Sequence, residues 1–269
     1  MWQHVIGIVG GLGPHAHIEF ERRLLAAVES PAGDQDYPEW IVASIPHTPD
    51  RTVALLESGP SPVPSLLRAL DRLAAGADFA VIACMTAHAF LDEIRSRAPL
   101  PVLDLVELTL AEAARKFSGA RVGVLATTGA LKGGVYSPAG TCLASGLDLV
   151  SLLDLPGGDK LQEDLVMRPI YGPLHEGRRL SGGIKSGVDT DPETKVAHRE
   201  TLEAAVRALV GAGASCVVTG CTEIALVLGR EPVDGTPLLD PLDLAAHTAV
   251  SIARGEQPLP ASRAGRGTR

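Results

Sequence analysis

The chain has 269 residues, 45% of them hydrophobic, 3% aromatic and 21% charged, with a formal net charge of −8 and a pI near 5.5. That length suits one large domain or two ordinary ones, each with its own core. An acidic chain without a Lys/Arg run argues against nucleic acid as a partner, and the lack of any run approaching eighteen apolar residues argues against a membrane span.

In chain order, HVIGIVG reads as a strand that opens into the glycine-rich turn GGLGP, and Pro14 starts a helix to about Ser30. EWIVASI is a second strand, followed by the loop PHTPDRT, and PSLLRALDRLAAG is a helix ending at Gly76. DFAVIAC is the third strand, with a helix from Ala87 to Arg97. PVLDL is a short strand that leads into the helix VELTLAEAARKF. The pattern then restarts with the strand RVGVLAT, a helix near Gly134 to Ser145, the strand LDLVSL and a helix from about Lys160 to Glu176. A helix from Pro192 to Val210, the strand SCVVTGC, a helix from Glu223, the short strand PLLD and a last helix to Arg254 complete it. Alternating strands and helices predict parallel α/β sheets, and the low aromatic content leaves Ala, Leu and Val to build the core. The segment 176–195 is Gly-rich and charged, which fits a solvated insertion or a mobile lid. The tail 257–269 is expected to be disordered.

The four cysteines, Cys84, Cys142, Cys216 and Cys221, lack CxxC spacing. The first strand begins within five residues of Met1, leaving no room for an export signal. A cytoplasmic protein with reduced thiols is the expectation, with Cys142 and Cys216 as core residues. His15, His17 and His47 lack metal-ligand spacing, so no metal is expected. Gly10, Gly11 and Gly13 do not fit GxGxxG, and no ribose-binding acid accompanies them, which counts against a dinucleotide.

The sequence also repeats itself. GADFAVIAC (Gly76–Cys84) aligns with GASCVVTGC (Gly213–Cys221), with Gly-Ala at the start, Val at the sixth place and Cys at the ninth. GIVGGLG (Gly7–Gly13) aligns with GVLATTG (Gly123–Gly129), in the same order along the chain. Chance likeness between short apolar strands is the plain alternative. If the repeat is structural, two similar α/β domains face each other about a pseudo-two-fold axis: 1–103, with the C-terminal helix of about 237–256 packing back on it, and 104–236. Ligands of parallel sheets bind beyond the carboxyl ends of the strands. Cys84 and Cys221 stand at such ends, just before helices that would favour their thiolates. Gly11 in the first turn and the hydroxyls Thr86, Thr127, Thr128 and Thr222 would ring the same cleft and hold a carboxylate. One thiolate could take a proton from a carbon while the other thiol returns one to its opposite face. For each cysteine the plain alternative is a buried core residue. His88, four residues after Cys84, is either a packing residue or a tuner of the thiol. Glu223 either accepts a hydrogen bond from a thiol or ammonium, or simply favours a helix start.

The stretches IGIVGGLGP, DQDYPEWIVASIPHTPDRT, ACMTAH, VGVLATTGALKGGVY, RPIYGPLHEG, GCTEI and PLLDPLDLAAHTAV together resemble the aspartate/glutamate racemase family, nearest its aspartate-racemase branch. The resemblance covers Val5 to about Ala253. It implies a two-domain, two-base amino-acid racemase, independent of pyridoxal phosphate and metal, that acts as a homodimer on a small amino-acid substrate. The family's two catalytic cysteines carry over onto Cys84 and Cys221, and its substrate-binding arginine onto Arg51. Three positions depart from the pattern. Met85 stands where the family commonly has Asn, and His17 where members often have Thr. The lysine of IYxxIKxG, expected to hold the substrate's side-chain carboxylate, is matched by His175 in IYGPLHEG. The resemblance therefore implies racemisation of aspartate, glutamate or a related amino acid. The alternatives are a decarboxylase, a cis–trans isomerase or a hydantoin racemase of the same superfamily, or a non-catalytic ligand-binding homologue.

Overall fold

A computed structural model describes residues 1–136, 146–187 and 191–261. Cys142, the later part of the helix expected from Gly134 to Ser145 and most of the expected disordered tail lie outside the described residues. The chain divides into two compact units: Met1–Leu108 with the stretch that begins at Leu242, and Thr109–Pro241.

In the first unit, β1 (Ile6–Gly10) runs into α1 (Pro14–Ala26), followed by β2 (Trp40–Ser44), α2 (Arg51–Leu56), α3 (Val63–Leu73), β3 (Phe79–Ile82) and α4 (Leu91–Arg97). Helix α5 (Leu105–Lys116) crosses the boundary between the units. The three strands are parallel in the order β2-β1-β3. β1 is buried along its whole length, which explains its unbroken apolar sequence. α3 covers the sheet with Val63, Leu66, Leu67, Leu70 and Leu73, the three- and four-residue spacing of a buried helix face. The expected strand PVLDL reduces to one parallel bridge, Ala80 with Val102.

In the second unit, β4 (Arg121–Leu125), α6 (Thr128–Lys132) and β5 (Asp148–Ser151) are followed by a helical run of α7 (Gly158–Gln162), a π turn over Glu163–Met167 and α8 (Arg168–Tyr171). A small antiparallel hairpin of β6 (Leu174–His175) and β7 (Arg178–Arg179) comes next. Then come α9 (Pro192–Gly211), β8 (Ala214–Thr219), α10 (Thr222–Leu228) and β9 (Leu238–Leu239). Its parallel sheet has the order β5-β4-β8-β9. The last helix, α11 (Pro241–Ala253), belongs almost wholly to the first unit, where Ala253 O accepts hydrogen bonds from Gln3 N and His4 N at 2.7 and 3.2 Å.

The two sheets carry the repeat in register, not only in sequence. Gly7 of β1 lies opposite Ala80, and Gly123 of β4 lies opposite Val217. Ala80 and Val217 are the fifth residues of the two aligned nine-residue segments. A fourth chain segment then joins each sheet the same way: Pro101 O accepts from Ala80 N at 2.8 Å, and Pro237 O from Val217 N at 3.0 Å. Both central glycines let a helix close on the sheet. A Cβ at Gly7 would meet Phe79 O at 3.0 Å and Leu73 Cδ1 at 3.2 Å; at Gly123 it would meet Leu209 Cδ1 and Val217 Cγ2, each at 3.0 Å.

Two further segments differ from expectation. The loop PHTPDRT turns into α2 at Arg51, because Asp50 Oδ1 accepts from Thr52 N at 2.8 Å and Val53 N at 3.0 Å, a helix cap. The helix expected from Lys160 to Glu176 stops at Tyr171, where Gly172 has φ +88°. No helix among the described residues is long and apolar enough to cross a membrane.

The contact distances at Gly123 predict that Gly123→Val loses about 1–3 kcal/mol of stability by overpacking. Denaturant unfolding followed by far-UV circular dichroism measures this, and an unchanged midpoint would contradict the close packing.

Candidate active site

In the first unit the candidate residues gather at the carboxyl ends of the strands. Gly11, with φ +85°, follows β1, and a Cβ there would lie 2.5–2.6 Å from the backbone of Ile45 and Pro46, so only glycine fits. His17 on α1 packs against this turn: its Nδ1 accepts the Gly11 N–H at 3.3 Å. Burial pushes the His17 pKa down, in keeping with a neutral ring that accepts. Arg51, the first residue of α2, is buried; its guanidinium donates to Leu12 O in the glycine turn and to Pro49 O at 3.2 Å. The arginine of the PDRT motif and the glycine turn therefore form one structure.

Cys84, 6% exposed, stands two residues past β3. Met85 and Thr86 beside it are buried, and Thr86 opens a single 3-10 turn that leads into α4. His88 uses both ring nitrogens on backbone. Nδ1 lies 3.0 Å from Cys84 O, and Nε2 accepts the Leu105 N–H at 3.2 Å. An accepting Nε2 requires the Nδ1–H tautomer, so His88 clamps the Cys84 turn to the start of α5. This favours the packing role over the thiol-tuning one. Burial outweighs the nearby Asp104 carboxylate and holds the His88 pKa below the usual histidine value.

In the second unit, the end of β4 is shaped by the π turn. Gln162 Nε2 donates to Ala126 O at 2.8 Å, and Thr128 N–H meets Met167 Sδ at 3.3 Å. Thr127 caps α6 by accepting the Ala130 N–H at 3.1 Å. Cys221, 4% exposed, is the cap residue of α10. Its Sγ–H donates to Glu223 Oε2 at 3.1 Å, and Thr222 Oγ1 donates to the same oxygen at 2.9 Å. Lys185 Nζ lies 3.3 Å from Glu223 Oε1. Burial pushes the Cys221 thiol up and the Glu223 carboxylate pushes it further, against a smaller opposing effect of Lys185. The expected lowering by a helix start is therefore reversed here. Burial and an adjacent anion outweigh the field of a seven-residue helix. Burial would raise the Glu223 carboxyl, but Lys185 and the hydrogen bonds from Cys221 and Thr222 outweigh it and hold its pKa low. Cys216 is a core residue, its thiol pushed up to about 11 by burial.

The structure sets His175 apart from the Glu223 cluster. His175 is exposed on β6, within the hairpin. The tetrad Ile-Lys-x-Gly stands at 184–187 instead, after the hairpin, and Tyr171 stands before it. Lys185 Nζ is 5.0 Å from the Tyr171 ring centroid, so the fold reunites the two parts of the IYxxIKxG pattern that an insertion separates. The segment 176–187, expected as a solvated insertion or lid, forms the second hairpin strand and a 3-10 turn over Ile184–Ser186. Ile184 is buried in the core, and Arg179 pairs with Glu163. Gly172 and Gly183 pass so closely that a Cβ on either would lie 2.1–2.3 Å from backbone. The sequence offers Lys185 and Arg178 as cations that could compensate for the missing lysine, and the IKxG tetrad singles out Lys185. Among the described residues no group of three or more His, Cys, Asp and Glu could hold a metal ion.

The His88 clamp generates a pH prediction. The folded protein refuses a proton that the unfolded chain accepts, so the stabilisation is full above about pH 6.5 and fades as pH falls below it. His88→Leu should cost about 1–3 kcal/mol near neutrality by stranding the Leu105 N–H. Its thermal midpoint should also fall less steeply between about pH 7 and pH 5 than that of wild type. Parallel slopes in the two proteins would contradict the clamp.

With this geometry in view, comparison with known proteins is informative. Residues 9–140 match the Asp/Glu/Hydantoin racemase family model. The chain is 29% identical over 182 residues to the glutamate racemase of Desulforudis audaxviator (strain MP104C), covering 65% of this chain and 55% of that protein. It is 31% identical over 114 residues to a broad-specificity amino-acid racemase of Bacillus subtilis (strain 168), covering 40% of this chain and 48% of that protein. The matches span about a quarter to just over half the length of the first curated relatives. The structure of Picrophilus torridus aspartate racemase shares the fold with a TM-score of 0.72 at 24% identity, over 94% of this chain and 95% of that one. Two parallel α/β units with one in-register repeat, and these likenesses, support the Asp/Glu/hydantoin racemase family, whose model matches just under half of the chain.

Proposed function

We propose that the protein is a cofactor-independent amino-acid racemase that acts on aspartate, glutamate or a related amino acid, with Cys84 and Cys221 as its two bases. The observation that carries this reading is the equivalence of the two cysteines. Each stands two residues beyond the third strand of its unit's β-α repeat, in sheets of matching register. In the forward direction the Cys84 thiolate takes the α-proton and the Cys221 thiol donates its Sγ proton to the opposite face. The reaction leaves the two protonation states exchanged; the reverse reaction, or exchange with water, restores them. The carbanion is enediolate-like, and preorganised donors near its oxygens lower the barrier, each worth roughly 3 kcal/mol in other enzymes. Thr86, Thr127, Thr128 and Thr222, with the Gly11 turn, are the groups we assign to this role. Arg51 and Lys185 are the cations we assign to substrate carboxylates, Arg51 as the bidentate partner. Met85 makes the pocket less polar than an amide would. The family resemblance further supports a cytoplasmic homodimer and a reaction that needs neither pyridoxal phosphate nor metal.

Incubation with a panel of L- and D-amino acids in deuterium oxide tests the reading. Mass gain at the α-carbon of an acidic or related amino acid is expected, with no change on adding a chelator. Cys84→Ser and Cys221→Ser should each abolish racemisation, because a serine hydroxyl is a far poorer base at neutral pH. Near wild-type racemisation by both variants would overturn the two-thiol mechanism. Lys185→Met should raise KM for a dicarboxylic amino acid at least about tenfold, a loss on the scale of one charge-assisted hydrogen bond. His175→Ala should leave KM nearly unchanged, and the opposite ranking would return the carboxylate anchor to the hairpin.

A further inference from the structure

The repeat is broken chemically two residues after each cysteine. The first unit has Thr86 there and the second has Glu223, at the same offset in the aligned segments. Glu223 is buried at 4% exposure, and its two oxygens are divided between different tasks. Oε2 takes the Cys221 Sγ–H and the Thr222 hydroxyl, while Oε1 faces the Lys185 ammonium at 3.3 Å. Only a protonated sulfur can donate to a carboxylate. The contact therefore selects the thiol form of Cys221.

We propose that Glu223 is a positioning residue that makes Cys221 the resting proton donor of the pair, and that Lys185 keeps the thiolate form of Cys221 within reach once that proton has left. The proposal rests on the two-thiol reading of the site. Its logic is a count of charges in a place with little water. Before substrate binds and before any proton moves, the described residues of the cluster hold one anion, Glu223, and one cation, Lys185. After proton transfer, two anions in contact share that one cation. Without Lys185 they would share none, and charges in a low-dielectric setting repel strongly at such a distance. Without the Glu223 charge, the thiolate would stand beside a cation alone. The ease of ionising Cys221 should therefore follow the order Glu223→Gln, wild type, Lys185→Met, from easiest to hardest. The charged groups acting on the thiol are Glu223 on α10 and Lys185 on the turn after the hairpin. Arg179 is occupied with Glu163, and the Tyr171 ring lies beneath Lys185.

Tyr171 has a part in this arrangement as well. Its ring faces both Lys185 and Arg179, at 5.0 and 5.9 Å. A cation over an aromatic face loses less solvation benefit than one over an alkyl surface. This helps Lys185, 21% exposed at its side chain, hold station beside Glu223.

Because racemisation has an equilibrium constant of one, kcat/KM for the two enantiomers must stay equal in any variant. Steady-state efficiency therefore cannot report the asymmetry, and the thiol itself is the better readout. The test is site-resolved iodoacetamide labelling of the full-length protein across pH, with Cys221 and Cys84 peptides quantified separately by mass spectrometry and Cys84 serving as the control for general opening. Glu223→Gln is expected to lower the Cys221 labelling midpoint by at least about one pH unit, which speeds labelling near pH 8 about tenfold. Lys185→Met is expected to raise the midpoint. Glu223→Thr, which copies the residue at the equivalent place in the other unit, should behave as Glu223→Gln does and serves if the amide variant fails to fold. A Cys221 midpoint that does not fall in either Glu223 variant, or that falls in Lys185→Met, overturns the proposal. The labelling needs no substrate. Failure of the amino-acid panel with the expected labelling order intact would count against racemisation alone.

Discussion

Parallel hydrogen bonding is the constraint on which this structure depends. Parallel neighbours cannot be joined by a tight hairpin, so each strand must return through a crossover, and every strand of a sheet then ends at the same edge. The β1, β2 and β3 ends, and the β4, β5 and β8 ends, are where Gly11, Arg51, Cys84, Thr127 and Cys221 stand. Within each sheet, residues far apart in sequence come to the same edge. A β1 strand that must also accept close helix packing explains Gly7, and the same demand on β4 explains Gly123.

At those edges the turns are held by polar side chains that look, in sequence, like chemistry. His17 supports the glycine turn and His88 supports the cysteine turn, each as a neutral ring that accepts a backbone N–H. Thr127 spends an oxygen lone pair on a helix cap. An exposed backbone near a binding edge must have its N–H and C=O groups satisfied, and short strongly bent turns leave many of them to side chains. A histidine close to a cysteine is therefore weak evidence of catalysis until its ring nitrogens are accounted for.

The two units solve the same folding problem and differ at the thiol. The first places a cysteine beside Met85 and Thr86, uncharged neighbours. The second surrounds its cysteine with a carboxylate, a hydroxyl and an ammonium. A duplicated scaffold fixes where a side chain stands, while the charge next to it sets the protonation state in which it waits. The hairpin between Tyr171 and Lys185 shows how much insertion such a site tolerates. Two glycines let the chain cross itself, one isoleucine returns to the core, and the lysine arrives in place.

Hydrophobic period, glycine and proline placement, and the internal repeat marked most of the strands, the long helices and the places of Cys84 and Cys221 just beyond strand ends. These signals are local, or depend on one alignment of the chain with itself. The sequence also carried the plain marks of α2, in Asp50 before Arg51, but a proline-rich loop masks so short a helix. What only tertiary structure decided were features made by contacts between distant residues. Burial and Glu223 push the Cys221 thiol up, against the pull of its helix start. The backbone of Leu105, seventeen positions away, decided the role of His88. Lys185 rather than His175 reaches Glu223 because the chain between Tyr171 and Lys185 folds out as a hairpin and back, which a linear count of residues has no means to represent.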